Sequence, residues 1–131
     1  MKWTIGFLLL FVPAVYSVDL TVDELLDSAQ STAGRGKYAD AVVLATQAIT
    51  MEPKNAQAYG VRGRIHAAYG KHAKALADFD KTLSLEPRAV GVFQHRGVEN
   101  FKLGHFKKSI ADFDRYLTSR ALGTVEQLIN G

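Results

Sequence analysis

The chain has 131 residues, of which 47% are hydrophobic and 22% charged, and its formal net charge is only +3. These values are typical of an ordinary globular protein of one domain. Because the sequence contains no cysteine, it excludes a disulfide framework, a thiolate metal site, a cysteine nucleophile and a lipid-modified N-terminal cysteine. The sixteen basic residues exceed the thirteen acidic ones only slightly and are spread along the chain, which does not indicate a nucleic-acid-binding surface.

Residues 1–17 are expected to lie outside the fold. Lys2 precedes an almost wholly apolar run from Trp3 to Val15, a pattern typical of a secretory signal peptide. Small residues near the end of this segment predict cleavage after Ser17. A buried core helix or a permanent membrane anchor is less favoured, because Pro13 breaks the run and its length falls short of the ~20 apolar residues that span a bilayer. We therefore expect an exported protein, periplasmic or secreted.

The rest of the sequence repeats at an interval of 34 residues. The segment Ala-Asp-Phe-Asp-Lys at residues 77–81 recurs as Ala-Asp-Phe-Asp-Arg at residues 111–115. One structural unit is therefore present in several copies. Other residues related by the same interval are Gly36, Gly70 and Gly104; Tyr38, His72 and Phe106; Gly63 and Gly97; Tyr59 and Phe93; Ala41, Ala75 and Ser109; and Pro53 and Pro87.

Each unit has the pattern of two helices separated by a glycine. Apolar residues follow helical spacing on both sides of Gly70, and a glycine there can adopt the left-handed conformation that ends a helix. Gly63 and Gly97 lie inside the first helix of their units, where glycine costs roughly 0.5–1 kcal/mol relative to alanine. We therefore expect a neighbouring helix to approach closely at both positions. Pro53 and Pro87 help to end the second helix.

Both ends of the repeated region carry a signal for the start of a helix. Thr21 and Glu24 have the spacing of a capping box, which predicts that the first helix begins there. Thr124 and Gln127 have the same spacing and predict a short separate helix over residues 124–131. Because a solenoid normally ends in a helix with a polar outer face, this short helix is either a natural cap or a surface that pairs with another molecule.

A period of 34 residues, with glycine at the eighth and fifteenth positions, an aromatic residue near the fourth and proline at the thirty-second, resembles the tetratricopeptide repeat. The first copy departs from the pattern at Leu25 and Ala29, and the third at Ala121. The resemblance implies an all-α fold, a right-handed α-solenoid of antiparallel helix pairs. It also implies one domain at 18–131, with repeats at 22–55, 56–89 and 90–123 and a partial capping helix at 124–131.

The histidines are the first candidates for a metal site, because imidazole is a common metal ligand. The sequence contains no His-Glu-x-x-His stretch. His66 and His95 lie in adjacent repeats but are five positions out of register, which separates them too far for an easily shared site. His72 and His105 lie at predicted turns, where we expect exposure to solvent. We therefore expect no metal, no cofactor and no glycine-rich phosphate loop.

The paired aspartates do not indicate acid–base catalysis. Residues two apart on a helix point in different directions, so neither Asp78 with Asp80 nor Asp112 with Asp114 can converge on one substrate atom. We expect these carboxylates to be solvated, and Ser109 to be a packing residue rather than a nucleophile. A recurring basic turn could meet an acidic surface, although a solvated edge is the commoner outcome; it consists of Lys71, Lys74, Lys107 and Lys108.

The resemblance implies that the first helices of the repeats line a concave groove. Glutamine side chains there could hydrogen-bond to an extended or helical peptide, and Arg64 and Lys102 could receive carboxylates. A solvated concave face without a high-affinity ligand is the equally weighted alternative. The candidate peptide-binding residues are Asp23, Gln30, Gln57, Arg64, Gln94 and Lys102.

One specialised subgroup of the family can be tested residue by residue. Tetratricopeptide domains that clamp the C-terminal carboxylate of chaperones use lysine, asparagine and arginine side chains. The corresponding positions of this sequence hold none of these, which disfavours a co-chaperone function. They are Leu26, Gln30, Val61, Gly91 and His95.

These patterns together predict a non-enzymatic scaffold that binds a peptide or protein partner through the concave groove, outside the cytoplasm. We expect no stable membrane span after signal cleavage. We also expect no nucleic-acid partner, since the glycine, aromatic and proline landmarks differ from those of helical repeats that read RNA. The alternative is a self-associating structural or assembly module, a homo-oligomer whose interface lies at the C-terminal end, at Leu122, Val125, Leu128 and Ile129.

Overall fold

A computed structural model describes residues 19–131, in which six α-helices follow one another along the chain. The predicted signal peptide and its cleavage position, Ser17, lie outside the described residues. The helices are α1 (Val22–Gly34), α2 (Tyr38–Met51), α3 (Ala56–Ala68), α4 (His72–Leu85), α5 (Val90–Lys102) and α6 (Phe106–Asn130).

The helices pack as three successive pairs, α1 with α2, α3 with α4 and α5 with α6, and α2 and α4 also contact the first helix of the following pair. The predicted all-α solenoid is therefore confirmed. The main apolar core lies among α1, α2 and α3, between Val22 and Ile65, whereas the buried residues of α6 are the polar Ser109 and Asp112. The largest fully buried side chains are Leu26, Val61 and Phe79.

Glycine ends the first helix of each pair, as the sequence predicted. Gly36, Gly70 and Gly104 have φ values of +78°, +76° and +77°, in the left-handed region that side chains with a Cβ atom seldom adopt. The next backbone N–H closes each turn; that of Lys71, for example, donates to the His66 carbonyl at 2.8 Å. The three corners of the solenoid therefore have the same backbone geometry.

Close contact between the helices of a pair explains the two glycines inside first helices. A Cβ atom on Gly63 would lie only 2.8 Å from Cε1 of Phe79, which belongs to α4. A Cβ atom on Gly97 would lie 3.0 Å from Cε1 of Phe113 in α6. Both distances are shorter than normal van der Waals contact, so the predicted close approach is confirmed at both positions.

The two ends of the helical array differ in how well the sequence predicted them. The Thr21 capping box is confirmed, since the Thr21 backbone N–H donates to Glu24 Oε2 at 2.8 Å and the Thr21 hydroxyl accepts from the Glu24 N–H at 3.3 Å. The separate helix predicted over residues 124–131 is wrong, because α6 continues without a break through this region. The Thr124 hydroxyl donates to the Arg120 carbonyl at 3.0 Å within the helix, instead of capping a new one.

None of the helices formed by residues 19–131 is both long enough and apolar enough to cross a membrane.

Candidate functional site

The six residues predicted to line the groove all lie on the first helices of the pairs, and all six are exposed. Each first helix carries two of them. They are Asp23 and Gln30 on α1, Gln57 and Arg64 on α3, and Gln94 and Lys102 on α5.

Two of these residues are linked across adjacent repeats. Arg64 Nη2 donates to Gln30 Oε1 at 3.3 Å, and these residues occupy the same position in successive units. Gln30 Nε2 in turn lies 3.5 Å from the Leu26 carbonyl oxygen. This hydrogen bond orients the Arg64 guanidinium along the face formed by the first helices. The other N–H groups of the guanidinium can donate to an acceptor from another molecule.

A cleft of about 390 Å³ opens between α3 and α5, and α4 contributes to its lining. Val90 and Val92, which are half-buried, give it an apolar part, while Gln57, Arg64 and His95 supply polar groups. The structure thus brings together only two of the predicted groove residues, Gln57 and Arg64. The other four do not line this cleft; they are Asp23, Gln30, Gln94 and Lys102.

His95 is a cleft residue that the sequence reasoning did not select. Its ring stacks on Phe79 with centroids 5.9 Å apart. Burial lowers the pKa of His95, and the positive charge of Arg64 lowers it further, while Glu99 acts in the opposite direction. The ring is therefore neutral at pH 7, with one nitrogen able to donate and the other able to accept a hydrogen bond. Thr82 of α4 and Glu86, which directly follows that helix, complete the polar lining.

Lys102 has a structural partner rather than a free ammonium group. Its Nζ donates to Glu99 Oε1 at 3.1 Å, and the Glu99 side chain is only 3% exposed. His72 Nδ1 contacts the other carboxylate oxygen of Glu99. The expectation that His72 is exposed at its turn therefore holds only in part: its side chain is 31% exposed. The rest of the side chain is turned to Glu99, because a buried carboxylate requires hydrogen-bonding partners.

The expectation of solvated carboxylates is also wrong for Asp78 and Asp112. Both Nε and Nη2 of Arg62 donate to Asp78, at 2.9 and 2.8 Å, and Arg96 holds Asp112 through the same two nitrogens, at 3.0 and 2.6 Å. These hydrogen bonds raise the pKa of both arginines. Asp80 differs, since its side chain is 64% exposed and contacts Arg96 Nη1 at 2.9 Å.

A signal for these pairs was present in the sequence. Arg62 and Arg96 are themselves 34 residues apart, and each precedes its aspartate by 16 residues. Two repeated ionic residues at a constant offset indicate a contact within the unit. Asp78, Asp112 and Ser109 are buried, and the Ser109 hydroxyl donates to the Gly97 carbonyl at 2.8 Å. Within residues 19–131, no three His, Asp or Glu side chains are grouped as metal ligands.

Comparison with known proteins finds no protein-family model that matches the sequence and no match among curated proteins. Solved structures do match. The second TPR domain of Spaghetti (RPAP3), bound to the HSP90 peptide SRMEEVD, has a TM-score of 0.72 and 22% identity over 75% of this chain and 91% of that one. The Sgt2 TPR domain of Aspergillus fumigatus has a TM-score of 0.71 and 22% identity, covering 83% and 79%.

MamA is a third similar structure, with a TM-score of 0.74 and 19% identity. The match covers 79% of this chain and 61% of the MamA chain. At these identities the similarity shows the fold alone. Together with the helix pairs and their glycine corners, it shows that the chain has a tetratricopeptide-repeat-like, all-α solenoid fold.

Proposed function

We propose that this chain is a non-enzymatic scaffold that binds a peptide or protein partner in its concave groove, outside the cytoplasm. The observation that carries the proposal is the cleft between α3 and α5, of about 390 Å³. Its volume lies in the range of small ligand sites and suits one or two side chains of a longer segment. The similar RPAP3 domain holds a bound peptide, which supports this use of the fold.

The side chains around the cleft favour a ligand that combines a carboxylate with an apolar group. Arg64 is exposed and, as a planar guanidinium, can hold a carboxylate through two parallel hydrogen bonds. The half-buried Val90 and Val92 of the same cleft offer an apolar surface, and Gln57 can both donate to and accept from a peptide backbone. Export rests on different residues, namely Lys2 and the apolar run that follows it.

Charge reversal at Arg64 tests this site. A random peptide library is displayed on phage, and a selected peptide is titrated against the full chain by fluorescence polarisation. We expect Arg64→Glu to weaken binding by about tenfold to 100-fold, since a hydrogen bond to a charged group contributes about 1.5–3 kcal/mol. Lys102→Glu should weaken it less, because Lys102 does not line the cleft.

Lys54→Glu is the matched control, because Lys54 is also exposed but does not line the cleft. We expect it to change the affinity by less than about twofold. A library without binders, or binders with the same affinity for Arg64→Glu as for the unmodified chain, would contradict the proposal.

Self-association is the second candidate function, favoured by the end of α6. This helix has 25 residues, compared with 14 in α2 and 14 in α4. Its last turns carry large apolar side chains that nothing covers within residues 19–131. Their exposed fractions are 63% for Leu122, 50% for Val125, 79% for Leu128 and 76% for Ile129.

Light scattering tests this candidate. We expect a molar mass that rises with concentration, and Leu128→Glu/Ile129→Glu should return the protein to a monomer, since buried charges are costly at an apolar interface. Val43→Glu/Met51→Glu is the matched control on α2, where the two side chains are 56% and 55% exposed. A strict monomer at high concentration would exclude self-association.

A further inference from the structure

The stacking of the helix pairs places equivalent turns side by side along the solenoid. The corners within the pairs form one edge, here called the corner edge, which consists of residues 35–40, 69–74 and 101–108. The start of α1 and the turns between pairs form the other edge, here called the linker edge, which consists of residues 19–24, 52–56 and 86–90.

The two edges carry opposite charge. The corner edge has seven basic residues and one acidic residue, whereas the linker edge has five acidic residues and two basic ones. The small net charge of the chain therefore conceals a strong separation of charge. The basic residues of the corner edge are Arg35, Lys37, Lys71, Lys74, Lys102, Lys107 and Lys108.

The corner edge also exposes large apolar side chains among these cations. Phe101 is 60% exposed, Phe106 is 56% exposed and Tyr69 is 44% exposed, and Leu103 at the same corner is 38% exposed. Aromatic residues next to lysines are typical of surfaces that lie at the interface between a membrane and water. Neither the cations nor these rings line the cleft between α3 and α5.

The arrangement of the rings distinguishes a membrane from a nucleic acid. Phe101 and Phe106 pack edge to face on one another, with centroids 5.5 Å apart. Tyr69 stacks on Tyr38 at 5.6 Å, and Lys71 Nζ lies 5.3 Å from the Tyr69 centroid. Because each of these rings already packs against a neighbouring ring, they are poorer platforms for stacking on bases than isolated aromatic side chains. Their exposed parts can still enter the boundary between headgroups and acyl chains.

We propose that the corner edge docks on the surface of a bilayer that contains anionic phospholipids. The lysines of the three corners contact the headgroups, and Phe101 and Phe106 enter the apolar boundary beneath them. The acidic linker edge faces away, because the negative surface repels it and so orients the molecule. This docking is independent of the peptide cleft, so one molecule can hold a partner while it lies on a membrane.

Vesicle binding by the full chain tests the proposal. The probes are vesicles of phosphatidylcholine and vesicles of phosphatidylcholine and phosphatidylglycerol in equal parts. We expect stronger binding to the anionic vesicles, with an affinity that falls as salt is added. Since each lysine near an anionic surface contributes about fivefold, Lys107→Glu/Lys108→Glu should weaken this binding by about 25-fold or more.

The control has the same change of net charge at the linker edge. Lys54→Glu/Arg88→Glu should alter binding to the anionic vesicles by less than about twofold. Phe101→Ser/Phe106→Ser should weaken binding about tenfold, also at salt concentrations that suppress the electrostatic attraction. Circular dichroism melting curves verify that each variant is folded.

Three outcomes would overturn the proposal. The first is a folded chain that prefers anionic vesicles no more than zwitterionic ones. The second is an equal loss of binding for the two charge-reversed variants, which would show that only net charge matters. The third is binding to duplex DNA or polyglutamate as strong as to anionic vesicles, together with unchanged vesicle binding by the Phe101→Ser/Phe106→Ser variant, which would identify a general polyanion-binding edge.

Discussion

Replacement of Asp112 by alanine should lower the free energy of unfolding by about 3 kcal/mol. The Asp112 side chain is only 6% exposed and accepts hydrogen bonds from Arg96 and from Asn100 Nδ2, the latter at 3.0 Å. Without the carboxylate, a guanidinium and a buried amide lose their acceptor. The Arg96 side chain is 25% exposed, so partial hydration keeps the loss at the lower end of values for buried pairs. Denaturant unfolding of the full chain measures it.

Asp80→Ala is the matched control, because Asp80 contacts the same arginine. The Asp80 side chain is 64% exposed, and an exposed ion pair contributes less than about 1 kcal/mol. We therefore expect its loss to have little effect on the unfolding midpoint. Equal destabilisation by Asp80→Ala and Asp112→Ala would mean that burial is not what gives the Arg96–Asp112 pair its importance.

Replacement of Gly63 by alanine should lower the free energy of unfolding by about 1–3 kcal/mol, although alanine is the better helix former. The new Cβ atom would lie 2.8 Å from Cε1 and 2.9 Å from Cδ1 of Phe79. Phe79 is a rigid ring that is only 1% exposed, so it cannot rotate away into solvent. The two helices must separate instead, which loses packing along the whole contact.

Gly60→Ala is the control in the same helix. A Cβ atom on Gly60 would meet Thr82 at 3.7 Å, an ordinary van der Waals contact. Here we expect the intrinsic preference of a helix for alanine to raise the free energy of unfolding by about 0.5–1 kcal/mol. Chemical denaturation of both variants should therefore show changes of opposite sign. A gain of stability for Gly63→Ala would contradict the close approach of α3 and α4.

The repeat pattern in the sequence predicted most of the fold, because the corners and the close helix contacts depend on backbone conformation and side-chain size at single positions. Only glycine tolerates the φ values at Gly36, Gly70 and Gly104 without strain, so the corners could be located. A glycine that recurs inside a helix indicates a steric need, which Phe79 and Phe113 explain. The end of α6 could not be predicted in this way, since Thr124 satisfies its hydroxyl equally well inside a continuing helix as at a new start.

The candidate site could be predicted only in part. The face of the first helices follows from helical periodicity, which is why Gln57 and Arg64 were found. His95 was missed because its role depends on α4, which supplies Phe79 beneath it. Lys102 was assigned a free charge because the sequence does not show that Glu99 is buried next to it.

The sequence by itself determined the helix pairs, their corners and the positions where two helices touch, because these depend on backbone conformation and on volumes repeated at a fixed interval. Only the tertiary structure decided which charges are buried. The side chains of Asp78 and Asp112 point away from those of the aspartates two residues later, as helical geometry requires. Each of them nevertheless pairs with an arginine of the preceding helix. The stacking of the repeats also decided where the basic residues lie. Lysines that are dispersed along the chain become neighbours at the corner edge, because equivalent positions of successive repeats lie in line.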